Sequence, residues 1–110
     1  MPLTASFIPT EDRLDLAFDG DLDLTLTDEM CRVFAELPAN LQTCILDLTR
    51  LERIFDSGLA LLWMLNERLQ QLGARVVVLS DRPEMLGRLL HVLRNALGII
   101  PQDVAPIGRH

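Results

Sequence analysis

Residues 51–65 read LERIFDSGLALLWML. A carboxylate and a hydroxyl, Asp56 and Ser57, stand with Gly58 directly before seven uninterrupted apolar residues, Leu59 to Leu65. Two kinds of chemistry suit them. Either side chain can accept a hydrogen bond from the free N–H groups at a helix start, a cap that stabilises by about 1 kcal/mol. Alternatively, the pair forms a recognition or reactive site at the helix tip. Nucleophilic catalysis finds little support. Ser57 is not in a Gly-x-Ser-x-Gly elbow, His91 lies within a helical pattern, and His110 is the last residue, so no Ser/His/Asp set is visible. No glycine-rich phosphate loop is present. Asp19, Asp21 and Asp23 alternate as in a solvated turn and lack the oxygen count and glycine placement of a calcium loop. Cys31 and Cys44 have no metal or redox spacing and read as buried free thiols. The expectation is no catalytic residue, no metal and no cofactor.

The elements that must hold this stretch follow from periodicity. Residues 5–10, ASFIPT, suit an edge strand ended by Pro9, and TEDR a hairpin turn. In 13–23, RLDLAFDGDLD, Leu14, Leu16 and Phe18 alternate with Arg13, Asp15, Ala17 and Asp19, which marks a strand with one face buried. A helix over about 26–37 has Thr27 as N-cap and Asp28 and Glu29 at its positive end. Its inward stripe is Met30, Val33, Phe34 and Leu37, and Pro38 stops it. TCILDL, 43–48, is a strand followed by a loop into Asp56-Ser57-Gly58, and the next helix runs to about Leu72 with Gly73 at its C-cap. RVVVLS, 75–80, is a β-branched run expected to be covered on both faces. A helix over 82–98 starts at Pro83 and turns Leu86, Leu89, Leu90, Leu93 and Leu97 inward. The tail from Ile99 admits a short strand or coil.

The order β-β-α-β-α-β-α predicts an α/β domain: a mixed sheet with parallel crossovers and helices packed on it. Sites in such sheets lie beyond the carboxyl ends of the strands. That places Asp21 and Asp23 near the loop before Asp56. Wound at 100° per residue, the helix from 57 to 72 turns Gly58, Leu62, Leu65, Leu69 and Leu72 to the core, with Leu59 and Leu61 at the border. Its other side carries Asp56, Ala60, Trp63, Met64, Glu67 and Gln71. An indole and a thioether there suit either a fold over a neighbouring helix or a docking patch.

Composition narrows the class. The 110 residues are 49% apolar, which suits one folded domain over 1–110. The longest apolar run is far short of the roughly 20 residues that span a bilayer, and the N-terminus has no secretion-signal pattern. Insertion into a membrane is not expected, and a cytoplasmic location is. A net charge of −6, with all ten basic residues arginine, argues against a phosphate-binding nucleic-acid partner.

The run CILDLTRLERI, then DSGLALLWML, then LGARVVVLSDRPEMLGRLL resembles the STAS domain, and FDGDLD at 18–23 looks like that family's second-strand motif. The resemblance covers about 13–98 and is to the anti-sigma factor antagonists in particular. It implies a non-enzymatic regulatory module in partner switching: the unmodified form binds an anti-sigma factor with serine-kinase activity, phosphorylation releases it, and a serine phosphatase resets it. The usual motif is Asp-Ser-Ser-Gly-Leu, whereas this chain has Phe55-Asp56-Ser57-Gly58-Leu59. Aligned without a gap, Asp56 takes the phosphoacceptor position. A gapped alignment makes Ser57 the acceptor. The resemblance also places Asp23 beside that loop, so Asp21, Asp23, Asp56, Ser57, Gly58, Ala60, Trp63, Met64 and Glu67 form the expected partner-binding set. An alternative within the same fold is an accessory subunit of a lipid-transport ABC system. A second copy of the chain, forming a homodimer, remains open as a cover for the Trp63 face.

Overall fold

The computed structural model describes residues 2–100. Its elements are β1 (Leu3–Ile8), β2 (Arg13–Leu22), α1 (Thr27–Glu36), β3 (Thr43–Ile54), α2 (Asp56–Gln71), β4 (Arg75–Leu79), α3 (Pro83–Val92) and β5 (Leu97–Ile99). The sheet order is β1-β2-β3-β4-β5. β1 is antiparallel to β2, and the remaining neighbours are parallel. The expected α/β order is present, with β5 as a closing strand.

Because each strand is added on the same side of the last, right-handed crossovers put all three helices on one face. That face carries the core: Leu14, Leu16 and Phe18 of β2, Cys44, Leu46 and Leu48 of β3, and Val76 and Val78 of β4. They pack against Met30, Leu62, Leu65, Leu69 and Leu89. The other face is open, so Val77 and Leu79 are only half-buried. The expectation that β4 is covered on both faces is therefore corrected: a β-branched run does not reveal a sheet wound in one direction.

β3 is the largest departure. The segment from Thr49 to Ile54, expected as a loop, continues the strand and pairs with Asp19 to Leu22. Register shifts fall between Ala17 and Asp19 and between Gly20 and Asp21, where β3 carries extra residues. The inward residues accordingly change spacing, from Cys44, Leu46 and Leu48 to Leu51. Bulges of this kind break the period-two alternation that marks a strand. Asp21 thus lies within β2, not in a loop.

Helix starts and ends also differ from expectation. Thr27 is not an N-cap: Leu26 occupies that position, and the Thr27 hydroxyl donates to the Leu24 carbonyl at 2.6 Å. Asp23 instead caps the 3-10 turn Leu24–Leu26. α2 ends as expected, with Gly73 at φ 75° and bonds from Gly73 N to Gln70 O and from Ala74 N to Leu69 O, both 3.0 Å. α3 stops at Val92, short of 98. Asn95 turns at φ 67°, and Leu97 enters β5 exposed instead of facing inward. Cys31 is exposed on α1, one residue round from buried Met30, so only Cys44 is a buried thiol. His110 lies outside the described residues.

Candidate partner-binding surface

β2 and β3 end side by side, Leu22 opposite Ile54, and the Phe55 N–H donates to the Leu22 carbonyl at 3.0 Å. This junction places the start of α2. Gly58 sits directly on it. A Cβ there would fall on the Leu22 carbonyl oxygen and within 2.7 Å of Leu22 Cγ, so only glycine lets the first turn lie this close.

Neither Asp56 nor Ser57 caps the helix. Phe55 is the N-cap and makes no side-chain cap bond, while Asp56 is the first helical residue. The Asp56 side chain is 99% exposed, and its Oδ1 accepts from Arg88 Nη2 of α3 at 3.4 Å. A pair this open to water is screened and orients the two groups more than it stabilises them. Ser57 is half-buried and Gly58 buried. Placing the carboxylate in the first turn still suits the helix dipole.

The predicted acids are brought to the same end but are not equivalent. Asp21 is held by Arg53 in a bidentate pair, 3.0 Å from Nη2 and 3.3 Å from Nε. The same guanidinium lies 5.5 Å from the Phe55 ring centroid. Asp23 accepts from the Thr25 hydroxyl and, at 2.9 Å, from the Thr25 N–H. These bonds favour the carboxylate form and hold the Asp23 carboxyl below its ordinary value.

Along α2, Ala60, Trp63, Met64 and Glu67 all face solvent. Trp63 is a ridge between two grooves. One, of about 340 Å3, is lined by Phe34, Met64, Arg68 and Gln71; the other, of about 420 Å3, by Glu67, His91, Val92 and Arg94. The indole is therefore not folded away over a neighbouring helix. Asp56 and Trp63, seven residues apart, share one side of the helix because seven residues are close to two turns.

Sequence reasoning missed several contributors. Leu24 is 66% exposed and Phe55 42%, which joins them to Trp63 at 47% and Met64 at 49% as large apolar side chains open to water. Arg53, Arg82 and Arg88 engage Asp21, the β3 carbonyls and Asp56 across about thirty residues of chain, a separation no local pattern shows. Phe55 alone had a signal, as an apolar residue just before the acidic helix start. Asn66, buried in α2, donates from Nδ2 to the Arg94 carbonyl at 3.2 Å and ties α2 to the turn after α3. Among the described residues, no group of three or more histidine, cysteine or acidic side chains is placed to hold a metal. No helix among them is long and apolar enough to cross a membrane.

No protein-family model and no curated protein matches the chain. Solved structures do. The unphosphorylated anti-sigma factor antagonist SpoIIAA superposes with a TM-score of 0.69 at 17% identity, covering 97% of this chain and 96% of that one. A serine-to-glutamate form of RsbS from Moorella thermoacetica gives 0.73 at 13% identity, with both chains fully covered. A sulfate transporter family protein from Wolinella succinogenes gives 0.67 at 16%, covering 79% and 75%. Mglu is 28% identical at a TM-score of 0.60 over 74% of this chain, but the match spans only 19% of that longer protein. SpoIIAA is also similar in its phosphorylated form. Over nearly its whole length, then, the chain has the STAS-type α/β fold seen in an anti-sigma factor antagonist.

Proposed function

We propose that this protein is a cytoplasmic, non-enzymatic regulatory module of the anti-sigma factor antagonist type, controlling transcription by binding an anti-sigma factor with serine-kinase activity. The observation that carries the reading is the set of large apolar side chains open to water on and beside α2, Phe55 just before its start and Trp63 and Met64 midway along its outer side, with Leu24 exposed in the turn after β2, on a fold that spans SpoIIAA almost end to end. Exposed aromatic and thioether side chains are the common anchors of protein interfaces.

Asp56 stands at the phosphoacceptor position of this module. The ungapped register is favoured because Gly58 is packed on Leu22, and a deletion just before it would turn the helix by about 100° relative to the segment that leads into it. A carboxylate carries one charge where a phosphoserine carries about −1.5 to −2, so Asp56 is a fixed, partial counterpart of the modified state. The module is thus constitutive in its charge at this point, and Ser57 is the residue a kinase would reach in its place. SpoIIAA being similar in both its unphosphorylated and phosphorylated forms is in keeping with a fold that tolerates an added phosphate.

Capture of candidate anti-sigma kinases by wild type, Asp56→Ala and Trp63→Ala tests the reading. Wild type is expected to retain a kinase that Trp63→Ala releases, and Asp56→Ala to change its affinity. No capture by any form, together with turnover of a small substrate, would refute the proposal. Incubation with the captured kinase and ATP, followed by mass spectrometry, is expected to leave residue 56 unmodified. Stoichiometric phosphate on Ser57 would instead establish the gapped register and a phosphatase-reset switch.

A second reading is favoured by the similarity to a sulfate transporter family protein: a subunit attached to a transport system, the lipid-transport ABC type included, with a lasting contact through the same face. Co-purification with an ATPase or permease, and not with a kinase, would select it.

A further inference from the structure

We infer that the free edge of β1 pairs with the same edge of a second copy of this chain, extending the sheet across a twofold axis at Ala5. This contact stands apart from the α2 surface and does not depend on how that surface is read. The backbone fixes which groups are on offer. The Asp19 N–H donates to the Pro2 carbonyl at 2.9 Å, which makes Pro2 and Asp19 a hydrogen-bonded pair of the β1–β2 ladder. Such pairs alternate along an antiparallel ladder. Thr4 and Ser6 therefore bond to Ala17 and Asp15, and the N–H and C=O groups of Leu3, Ala5 and Phe7 point away from β2. Among the described residues, β1 has no strand on that side.

Open edges are commonly blocked by charge, proline or a bulge. β1 has none of these. Leu3–Ile8 carries no charged residue in a chain that is 24% charged, Pro2 and Pro9 stand outside it, and its register with β2 runs without a shift. The run Leu3-Thr4-Ala5-Ser6-Phe7 is also self-complementary about its centre. An antiparallel second copy centred on Ala5 sets Leu3 opposite the partner's Phe7, Ala5 opposite the partner's Ala5, and Thr4 opposite the partner's Ser6. This register joins the outward groups to one another in about six hydrogen bonds and leaves none of them unpaired. Pro9, next in the outward series, has no N–H and ends the ladder. Thr4 and Ser6 meet as neighbouring hydroxyls on the open face of the sheet.

The helix side supplies apolar contact. A groove of about 440 Å3 lies between β1 and α1, with Leu3, Ala5 and Phe7 along the strand and Leu14, Val33 and Pro38 behind them. Phe7 is 42% exposed. The twofold sets each Phe7 beside the partner's Leu3, at the mouth of the partner's groove. Charge does not drive the contact. On the groove wall Arg32 stands with Glu29 and Glu36, and Arg13 is taken by Glu11 and Asp15, so the surroundings are net negative. Backbone pairing and apolar burial must hold the two copies together.

Sedimentation velocity in reductant, over about 1 to 300 µM protein, tests the inference. Wild type is expected to pass from monomer towards dimer across that range, no less at about 300 mM salt than at about 50 mM, since salt screens the like charges. Ala5→Pro removes an outward N–H without touching a bond to β2, and Phe7→Lys puts a charge on the edge. Each is expected to weaken association about tenfold or more, while Trp63→Ala leaves it unchanged. Circular dichroism checks that every variant is folded. In a Cys31→Ser background, Thr4→Cys/Ser6→Cys is expected to oxidise to a covalent dimer, because the proposed register brings positions 4 and 6 of the two copies within disulfide reach. A wild type that stays monomeric throughout overturns the inference. So does a dimer indifferent to Ala5→Pro and Phe7→Lys, one that Trp63→Ala dissociates, or a double-cysteine variant that does not cross-link.

Discussion

Gly58 and Gly87 are both helical glycines, and their surroundings give them opposite roles. A methyl group at 58 would run into the backbone of Leu22, whereas one at 87 meets nothing within 4 Å. Gly58→Ala is expected to destabilise the fold by about 1–3 kcal/mol through overpacking, and Gly87→Ala to stabilise it by about 0.5–1 kcal/mol by removing backbone freedom from the unfolded chain. Urea denaturation of the two variants measures both signs. The cysteines divide in the same way. Burial, with a smaller contribution from Asp15, pushes the Cys44 thiol from 9.0 up to about 12, while Cys31 is exposed. One thiol is expected to react with a disulfide reagent in the native protein and two after unfolding. The pH dependence has a definite sign. The unfolded thiol ionises near 9 and the folded one near 12, so the stability from the neutral buried thiol is complete below pH 9 and is lost as pH rises towards 12. The chain has no lysine and no tyrosine, which leaves little else to titrate there. Chemical denaturation is expected to show an alkaline loss of stability that Cys44→Ala reduces.

At the scale of elements, the overhang of β3 matters most. Beyond the Asp47–Leu79 pair, β3 has no strand beside it on the β4 side. Arg82, at the start of α3, takes the place of that strand by donating to the Leu51 carbonyl and, at 2.9 Å, to the Glu52 carbonyl. Arg82→Met is expected to lower stability by about 1–3 kcal/mol, as loss of a charge-assisted bond does, and to speed amide exchange at Arg53 to Asp56 more than in β2. Hydrogen exchange read by mass spectrometry checks this. Uniform acceleration throughout the sheet would instead show that Arg82 acts only on global stability. Alternation exposed β2 and the first half of β3 to a sequence reading, but the bulges that carry β3 onward change the spacing of its inward residues and remove that signal. The same bulges set Arg53 opposite Asp21, so the ion pair and the missed strand have one cause.

For the whole molecule, winding in one direction leaves a sheet with a dry face and a wet one. Val76 and Val77 are adjacent in a run of three valines, yet the first is fully buried and the second only partly. Val76→Thr is expected to destabilise by about 1–3 kcal/mol, because its hydroxyl finds no water, and Val77→Thr by about 1 kcal/mol or less. Equal losses in thermal or urea unfolding would mean that the open face is covered in solution. The sequence by itself determined what depends on near neighbours: the element order, the inward stripes, the glycine stop of α2, and the outward side of that helix from Asp56 through Trp63 to Glu67. Periodicity and backbone preference are local, so they survive in the one-dimensional pattern. Only the tertiary structure decided which acids keep their charge unpaired, that Phe55 rather than Asp56 or Ser57 takes the cap position, and that one sheet face stays open. Those outcomes depend on groups some thirty residues apart meeting in space, and on the hand in which successive crossovers wind.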